Sequence, residues 1–351
     1  MKNKLKPIFK TIICLSILFL FTGCGKKGRP YEDAGYAFLE NGQSEEALES
    51  FQKSLDEEKE TKESLRGIGI AYLSLGRYEE AIDSFVKALN KSNGSIKDVD
   101  FDINSYLGYA YEKAEKYEEA VNVYTAVLDF KPKDIDAYYR RAICYLKLGE
   151  TTLADEDFAI ATSKNNDDYD LHIRIYFSIK EAGFEKEADA YLTSLLNDSK
   201  RKISDYDRGR ICYYLKDYSN ARVYLEKAKD PSNPDTILML GKTYEATGDN
   251  TYAASLYANY LDQKGNNAAV YNQLGVCRFK LEDYEGALAA FSFGLKLEDP
   301  EWMRELSYNE AVTYEYMGDF QTAKEKMEEF LKNYPKDENA NHELLFLQTR
   351  N

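Results

Sequence analysis

The chain has 351 residues, 44% apolar and 30% charged, with only 7 prolines and 20 glycines, which is the composition of a folded protein rather than a collagenous or disordered one. Lys and Arg number 46 against 61 Asp and Glu, and a net charge of -15 repels a phosphate backbone, so nucleic acid is not an expected partner. Two histidines and five cysteines, with no CxxC or HxxxH pair, argue against a metal site and a His-dependent nucleophile, and no cofactor is expected.

Residues 1–23 have the pattern of an export signal. Four lysines lie within the first ten residues, an apolar run of 11 residues follows at 11–21, and Thr22 and Gly23 precede Cys24. The run is shorter than the about 20 apolar residues that a membrane-spanning helix needs. Small residues before a cysteine resemble the bacterial lipobox, so we expect cleavage before Cys24 and lipidation of its side chain. A plain secretory signal is the alternative.

Lipidation of Cys24 predicts a protein anchored by palmitate-type acyl chains to the extracytoplasmic side of a membrane, the outer membrane if the cell has two. Residues 24–30 then form a short linker. Removal of 1–23 takes four of the 46 basic side chains away and none of the 61 acidic ones, so the mature net charge is -19. Three cysteines remain in apolar helical stretches, and we expect them to be buried structural residues: Cys144, Cys212 and Cys277.

A repeat of about 34 residues runs through most of the chain. Strings similar to Gly-x-Tyr-Glu-Glu-Ala recur, as at 76–81 and, without the glycine, at 117–120. Their alanines stand 32 to 39 residues apart: Ala47, Ala81, Ala120, Ala154, Ala188, Ala221, Ala253, Ala287 and Ala323. A period of this length indicates a stack of helical hairpins rather than independent domains.

The pattern resembles the tetratricopeptide repeat, a helix-turn-helix unit with a small residue at position 8, Ala at 20 and a bulky residue at 24. Position 8 is small in eight units and Tyr176 in the fifth. Glycine occurs at the turn in six units, where a left-handed residue would end the first helix: Gly42, Gly76, Gly149, Gly183, Gly248 and Gly318.

The resemblance implies an all-α, right-handed α-solenoid superhelix of about nine repeats over 31–337, with a capping helix in 338–351. Longer loops are expected at 91–100 and 197–205, and the sixth unit departs most from the pattern, at Cys212 and Lys216. We expect most of the 30 tyrosines to be core side chains. Nine of them occupy the packing positions 11 and 17: Tyr72, Tyr111, Tyr145, Tyr244 and Tyr314 at the former, and Tyr78, Tyr117, Tyr218 and Tyr284 at the latter.

In this family the first helix of each unit lines a concave groove through positions 2, 5, 6, 9, 12 and 13. Carried over unit by unit, the resemblance places aromatic and basic side chains there. The peptide-binding residues that we predict are Tyr106, Tyr109, Tyr139, Arg140, Ile143, Arg174, Phe177, Tyr206, Arg210, Tyr213 and Lys242, and the same positions hold Tyr36, Arg66, Ile70 and Phe279 in other units.

Arg140, Arg174 and Arg210 would form a basic stripe in an acidic protein. Arginine beside tyrosine suits a peptide with acidic side chains or a C-terminal carboxylate, through paired hydrogen bonds and ring stacking. The alternative is that these arginines pair with neighbouring Asp and Glu and hold adjacent repeats together. The Lys and Asn clamp of the chaperone-binding members is absent: the third unit has Ser105 and Tyr109 at positions 5 and 9.

The function that we expect is a membrane-anchored scaffold that binds peptide segments or partner proteins in its groove, without catalysis. A structural assembly factor of an envelope, pilus or secretion complex is the alternative. A hydrolase that uses acidic residues in the groove ranks last, because the acidic runs fall at repeat ends or exposed helix faces, where charged side chains are ordinarily solvated.

Overall fold

The computed structural model describes residues 30–58, 61–91, 96–163 and 165–350, so the predicted signal and Cys24 lie outside the described residues. The described chain is helical, and no strand occurs in it. The helices are α1 Pro30–Glu40, α2 Ser44–Lys53, α3 Lys62–Ser74, α4 Tyr78–Asn90, α5 Asp98–Lys113, α6 Tyr117–Phe130, α7 Ile135–Lys147, α8 Thr151–Ser163, α9 Tyr169–Glu181, α10 Glu185–Asn197, α11 Asp205–Tyr214, α12 Tyr218–Ala228, α13 Pro234–Ala246, α14 Asn250–Lys264, α15 Ala268–Lys280, α16 Tyr284–Leu295, α17 Met303–Tyr316, α18 Phe320–Asn333 and α19 Glu338–Gln348.

Nine helix pairs, α1–α2 to α17–α18, follow one another in the described chain, and α19 packs on α18, which confirms the all-helical repeat architecture. The chain divides within α10 into two compact units, with the boundary between Tyr191 and Leu192 in the sequence. We call them the N-terminal and the C-terminal unit. In each unit, the second helix of a pair packs against the first helix of the next pair. Each repeat is thus stabilised mainly by its neighbours.

The small residue at position 8 allows the two helices of a pair to touch. A Cβ atom added at Gly69 of α3 would lie 2.4 Å from the Phe85 ring of α4. The same addition at Gly241 would lie 2.2 Å from the Tyr257 ring. Both rings are fully buried, so they cannot move aside, and only glycine fits at these positions. The exception, Tyr176, is 1% exposed and donates a hydrogen bond to Asp189 Oδ1 (3.3 Å).

The turn within each pair has a left-handed residue, and all six predicted glycines adopt it, with φ between 72° and 95°. In the other three units a residue with a side chain takes this conformation: Glu115 (φ 59°), Lys216 (φ 63°) and Glu282 (φ 64°). The same hydrogen bond closes the turn with or without glycine, since Arg77 N donates to Tyr72 O (2.8 Å) and Asp217 N to Cys212 O (2.9 Å). The turn geometry is therefore set by the helix end, and glycine only lowers its cost.

The sixth unit folds like its neighbours, as α11 and α12. The predicted loop at 91–100 is too long, because α5 begins at Asp98, where Asp100 Oδ2 accepts a hydrogen bond from the Lys97 N–H (2.8 Å). The tyrosines at positions 11 and 17 are half-buried rather than fully enclosed. Aromatic side chains are completely buried at position 24 instead, where Phe51, Phe85 and Phe291 are 0% exposed.

Candidate protein-binding face

The first helices of successive pairs contact one another in each unit: α1, α3, α5, α7 and α9 in the N-terminal unit, and α11, α13, α15 and α17 in the C-terminal unit. We call the surface along these helices the first-helix face of that unit. The predicted groove residues are distributed over both faces. Tyr106 to Phe177 of the predicted set belong to the N-terminal unit, and Tyr206 to Lys242 belong to the C-terminal unit.

Arginines of the N-terminal unit stack on tyrosines of neighbouring first helices. The guanidinium carbon of Arg140 on α7 lies 4.7 Å from the centre of the Tyr109 ring on α5. That of Arg174 on α9 lies 4.8 Å from the Tyr139 ring on α7. Arg66 has the same relation to Tyr36, at 5.7 Å. Each contact is a cation–π interaction between consecutive repeats, which fixes the position of the guanidinium group.

Arg140 also has two carboxylate partners. Its Nε lies 3.1 Å from Asp136 Oδ2, one turn earlier on α7, and its Nη1 lies 3.4 Å from Glu112 Oε2 on α5. The side chains of Arg140 and Glu112 are 14% and 13% exposed. Burial raises the pKa of Glu112, although the charge of Arg140 opposes that rise. Arg140 therefore joins two repeats as a mostly buried ion pair, which is the alternative role considered for these arginines.

Arg66 is a second example of this role, because its Nε donates to Asp102 of the next first helix. Burial raises the pKa of Tyr36, on which Arg66 stacks, to about 12. A tyrosine of that pKa stays neutral at physiological pH and acts here as a packing surface and hydrogen-bond group. Its hydroxyl donates to the Glu63 carbonyl (2.7 Å).

Arg174 lacks such a carboxylate. No Asp or Glu of the described residues lies within ion-pair distance of its guanidinium, and Asp170, one turn earlier, is not paired with it although Asp136 stands in the same relation to Arg140. The Tyr139 hydroxyl beneath it shares a hydrogen bond with Ser178 Oγ (2.9 Å), which ties α7 to α9. Arg174 and Phe177 are both partly exposed. The result is a positive charge held over a ring and available to an anion.

The C-terminal unit has a different distribution of charge. Arg210 stacks on Tyr206 of its own helix (5.3 Å) and pairs with Asp207 (3.3 Å). Burial raises the pKa of Tyr206 to about 12. Lys242 is partly buried, burial lowers its pKa, and no carboxylate of the described chain lies within ion-pair distance of it. The nearby Glu245 accepts hydrogen bonds from Lys280 (2.8 Å) and Tyr257 (3.0 Å) instead.

Some predicted groove side chains belong to the core. Tyr106 is 4% exposed and stacks on Phe85 at 5.7 Å, so its ring fills the space between α4 and α5. Ile70 and Phe279, at 3% and 6%, are equally enclosed. The remaining residues of the predicted set are partly exposed: Tyr109, Tyr139, Arg140, Ile143, Arg174, Phe177, Tyr206, Arg210, Tyr213 and Lys242. A groove position in the repeat thus does not by itself decide whether its side chain is exposed.

The sequence gives acidic partners of the arginines only as an alternative and does not name them. Asp136 and Asp207 stand four and three residues before their arginines, and this helical spacing is a readable signal. Glu112 comes from a neighbouring repeat, 28 residues away, and only the packing of α5 on α7 reveals it. The Asp170–Arg174 spacing shows that the helical signal alone does not decide the pairing.

The cysteines and histidine offer no reactive site in the described residues. Cys144, Cys212 and Cys277 are free and buried, as expected, and burial raises the pKa of Cys212 to about 11. His172 is 1% exposed and bonded through Nδ1 to the Tyr191 hydroxyl (2.6 Å). No group of three or more metal-binding side chains occurs in the part of the chain that the structure describes.

Comparison with known proteins shows the family. Models described as tetratricopeptide repeat match residues 32–96, 136–164, 238–292 and 305–337, and a model described as TPR repeat matches 108–149. A TPR repeat-containing protein of Methanocaldococcus jannaschii is 25% identical over 210 residues, 55% of this chain and 32% of that protein. Hsp70-Hsp90 organizing protein 3 of Arabidopsis thaliana is 33% identical over 98 residues, 27% of this chain and 17% of that protein.

Among solved structures, a tetratricopeptide repeat protein from Parabacteroides merdae is 17% identical over 72% of this chain and 98% of that one, with a TM-score of 0.41. The aligned regions cover at most 40% of the curated relatives' own length in the matches found. In the described residues, no helix combines the length and apolar character that a membrane crossing requires.

Proposed function

We propose that this chain, which belongs to the tetratricopeptide repeat family, is a membrane-anchored scaffold that binds an acidic segment of a partner protein on the first-helix face of its N-terminal unit. The proposal requires binding and no catalytic residue. A relative named as an Hsp70-Hsp90 organizing protein supports a role in protein–protein interaction. The acidic character of the partner segment is inferred from the side chains of the first-helix face.

The observation that carries the proposal is the difference in charge pairing along the face. Arg66 and Arg140 are neutralised by Asp102, Glu112 and Asp136 from the chain itself. Arg174 has the same stacked position on a tyrosine and no carboxylate partner in the described residues. An arginine fixed in this way has little side-chain conformational entropy left to lose on binding. A carboxylate is the ligand that matches its planar guanidinium group.

The partner segment is therefore expected to place a carboxylate on Arg174 and an apolar or aromatic side chain against Phe177 and the Tyr139 ring. Tyr139 is held in place by its hydrogen bond to Ser178, so the surface is rigid before the partner arrives. Rigidity of this kind favours affinity, because fewer rotamers are frozen on association. Arg140 is paired with Glu112 and Asp136, so it is not the anion contact of this site.

A peptide-binding measurement tests this function. The probes are synthetic 12-residue acidic peptides with a free C-terminal carboxylate, and the same peptides with Asp and Glu replaced by Asn and Gln. Arg174→Glu should weaken binding of the acidic peptides by about thirtyfold or more if the contact is desolvated. The matched control, Glu118→Arg with Glu119→Arg, changes exposed charges on the second helix α6 and should leave binding of these peptides at Arg174 intact.

Equal affinity of the two peptide sets for the wild-type chain would reject the acidic partner. Equal binding by the wild type and Arg174→Glu, with circular dichroism unchanged, would move the binding surface elsewhere. Binding should also weaken as salt rises, since the attraction between the carboxylate and Arg174 is screened.

Membrane anchorage through Cys24 forms the second part of the proposal. The support is the order of a basic segment, an 11-residue apolar run, and Thr22-Gly23 before Cys24. Replacement of Cys24 by Ser should abolish lipid attachment and release the chain from the membrane fraction. An unchanged mature mass and unchanged membrane partition of Cys24→Ser would contradict this assignment.

A role in assembling an envelope or secretion complex is the second candidate function. One observation favours it: Ile96 and Phe130, which lie outside the first-helix face, are 54% and 63% exposed. Side chains of this kind are typical of docking surfaces for folded partners. A chain that assembles complexes in this way would retain its partners when Arg174 is reversed and lose them when Phe130 is replaced.

A further inference from the structure

A small apolar pocket lies where α4, α5 and α6 meet in the N-terminal unit. Its volume is about 190 Å³, and its apolar wall includes Leu89, Ile96, Phe101, Val127 and Phe130. Ile96 and Phe130 are the two most exposed large hydrophobic side chains in the described part of this unit. Because both border the same pocket, they form one continuous apolar surface, which we call the Phe130 pocket. Grouped exposure of this kind marks interaction sites more often than scattered single residues do.

The pocket is bordered by positive charge. The Lys131 ammonium lies 4.1 Å from the centre of the Phe101 ring, and the Phe101 and Phe130 rings are 6.1 Å apart. No carboxylate of the described residues pairs with Lys131. The one acid in the wall, Asp100, is 5% exposed and already bonded to Lys62 and to the Lys97 N–H. Lys131 therefore provides a cation beside the apolar surface that the described residues leave without an ion pair.

The size of the pocket restricts its occupant. Small-molecule sites typically have about 300 to 1,000 Å³, so this pocket is too small for one and suits a single bulky side chain. Interfaces between proteins commonly depend on one such side chain buried in a pocket, with charged contacts at the rim. The cation at the rim favours a partner with a carboxylate close to its apolar side chain.

We propose that the Phe130 pocket binds an acidic amphipathic segment of a partner protein, which inserts one aromatic or branched aliphatic side chain and pairs a neighbouring carboxylate with Lys131. This inference is independent of the Arg174 site, because it uses residues at the junction of α4, α5 and α6. It also specifies the ligand that Ile96 and Phe130 would bind: a partner segment with an apolar side chain and an acidic residue within one helical turn of it.

A display experiment with a charge reversal tests the proposal. The full chain selects from phage-displayed random 16-residue peptides, with counter-selection on the Phe130→Ser variant. We expect the enriched sequences to share a bulky apolar residue with Asp or Glu three or four positions away, and to bind Phe130→Ser about tenfold more weakly. The Lys131→Glu variant should bind the same peptides more weakly than the wild type does. It should bind versions of them in which Lys replaces the acidic residue.

The C-terminal unit provides a matched control. Phe293 is 52% exposed and has the Lys296 ammonium 4.9 Å from its ring, so Phe293→Ser with Lys296→Glu makes the same chemical change. This double variant should keep the wild-type affinity. Three results would overturn the proposal: no enriched peptides, enrichment without an acidic requirement, or equal loss in the control. Sedimentation showing a wild-type dimer that Phe130→Ser dissociates would also overturn it, by assigning the pocket to a second copy.

Discussion

Two pairs of neighbouring first helices, α5 with α7 and α7 with α9, have the same construction and different charge. We call each pair a step of the first-helix face. In both, an arginine of the later helix stacks on a tyrosine of the earlier one, at 4.7 Å for Arg140 and 4.8 Å for Arg174. The first step adds Glu112 and Asp136, and the second has no carboxylate at the arginine in the described chain. The aromatic contact therefore positions the guanidinium, and the acid decides whether it joins repeats or remains available to a partner.

The largest expected effect is on stability at the α5–α7 step. Arg140→Ala should lower the free energy of unfolding by about 3 kcal/mol, because it leaves the Glu112 carboxylate mostly buried without its cation. Arg174→Ala should cost less than about 1 kcal/mol, the value of the lost stacking on Tyr139. Urea denaturation of the full chain compares them. Equal losses in the two variants would mean that the two arginines have the same role.

The pH dependence of stability should differ between the steps as well. Burial raises the folded-state pKa of Glu112 above its unfolded value, so the folded state binds more protons between the two. This contribution is full below the unfolded pKa and is lost as pH rises through the folded one. Glu112→Gln should remove this pH dependence, measured as denaturation midpoints from pH 4 to 8. Arg174→Ala should leave the profile unchanged, and a change as large as that of Glu112→Gln would contradict the comparison.

A smaller effect compares like positions in the turns. Lys216 has φ 63° where six other units have glycine, and it is exposed. Lys216→Gly should raise the free energy of unfolding by about 0.5 kcal/mol, since glycine adopts this conformation without a Cβ penalty. Gly76→Ala should lower it by about 1 kcal/mol for the converse reason. Thermal or urea midpoints measure both, and a loss of stability in Lys216→Gly would show that its side chain has another role.

The sequence predicts the fold well because the repeat is a local rule repeated many times. Small residues at position 8 and bulky residues at position 24 can be identified in the amino-acid sequence. They pack against each other as predicted, as Gly69 and Phe85 do. A search for glycine misses the turns at Glu115, Lys216 and Glu282. The helix end imposes the left-handed conformation there, even on a residue whose side chain makes it unfavourable.

The binding face is predicted less completely, because its charge depends on contacts between repeats. Position alone places Arg140 and Arg174 in equivalent sites, and each has an acid four residues earlier. Only the packed helices show that Glu112 reaches Arg140 and that Arg174 lies over Tyr139 without a carboxylate. Tyr106 likewise has a groove position in the repeat and a core position in the structure.

The most direct test is to give the α5–α7 step the charge of the α7–α9 step. The double variant Glu112→Gln with Asp136→Asn keeps Arg140 over Tyr109 and removes both carboxylates. Calorimetric titration with the acidic peptides that bind Arg174 should then show a second binding event, or tighter binding of longer acidic peptides, that is absent from the wild type. A variant that stays helical and binds these peptides as the wild type does, at the same stoichiometry and affinity, would contradict the claim that the acids decide the role of each arginine.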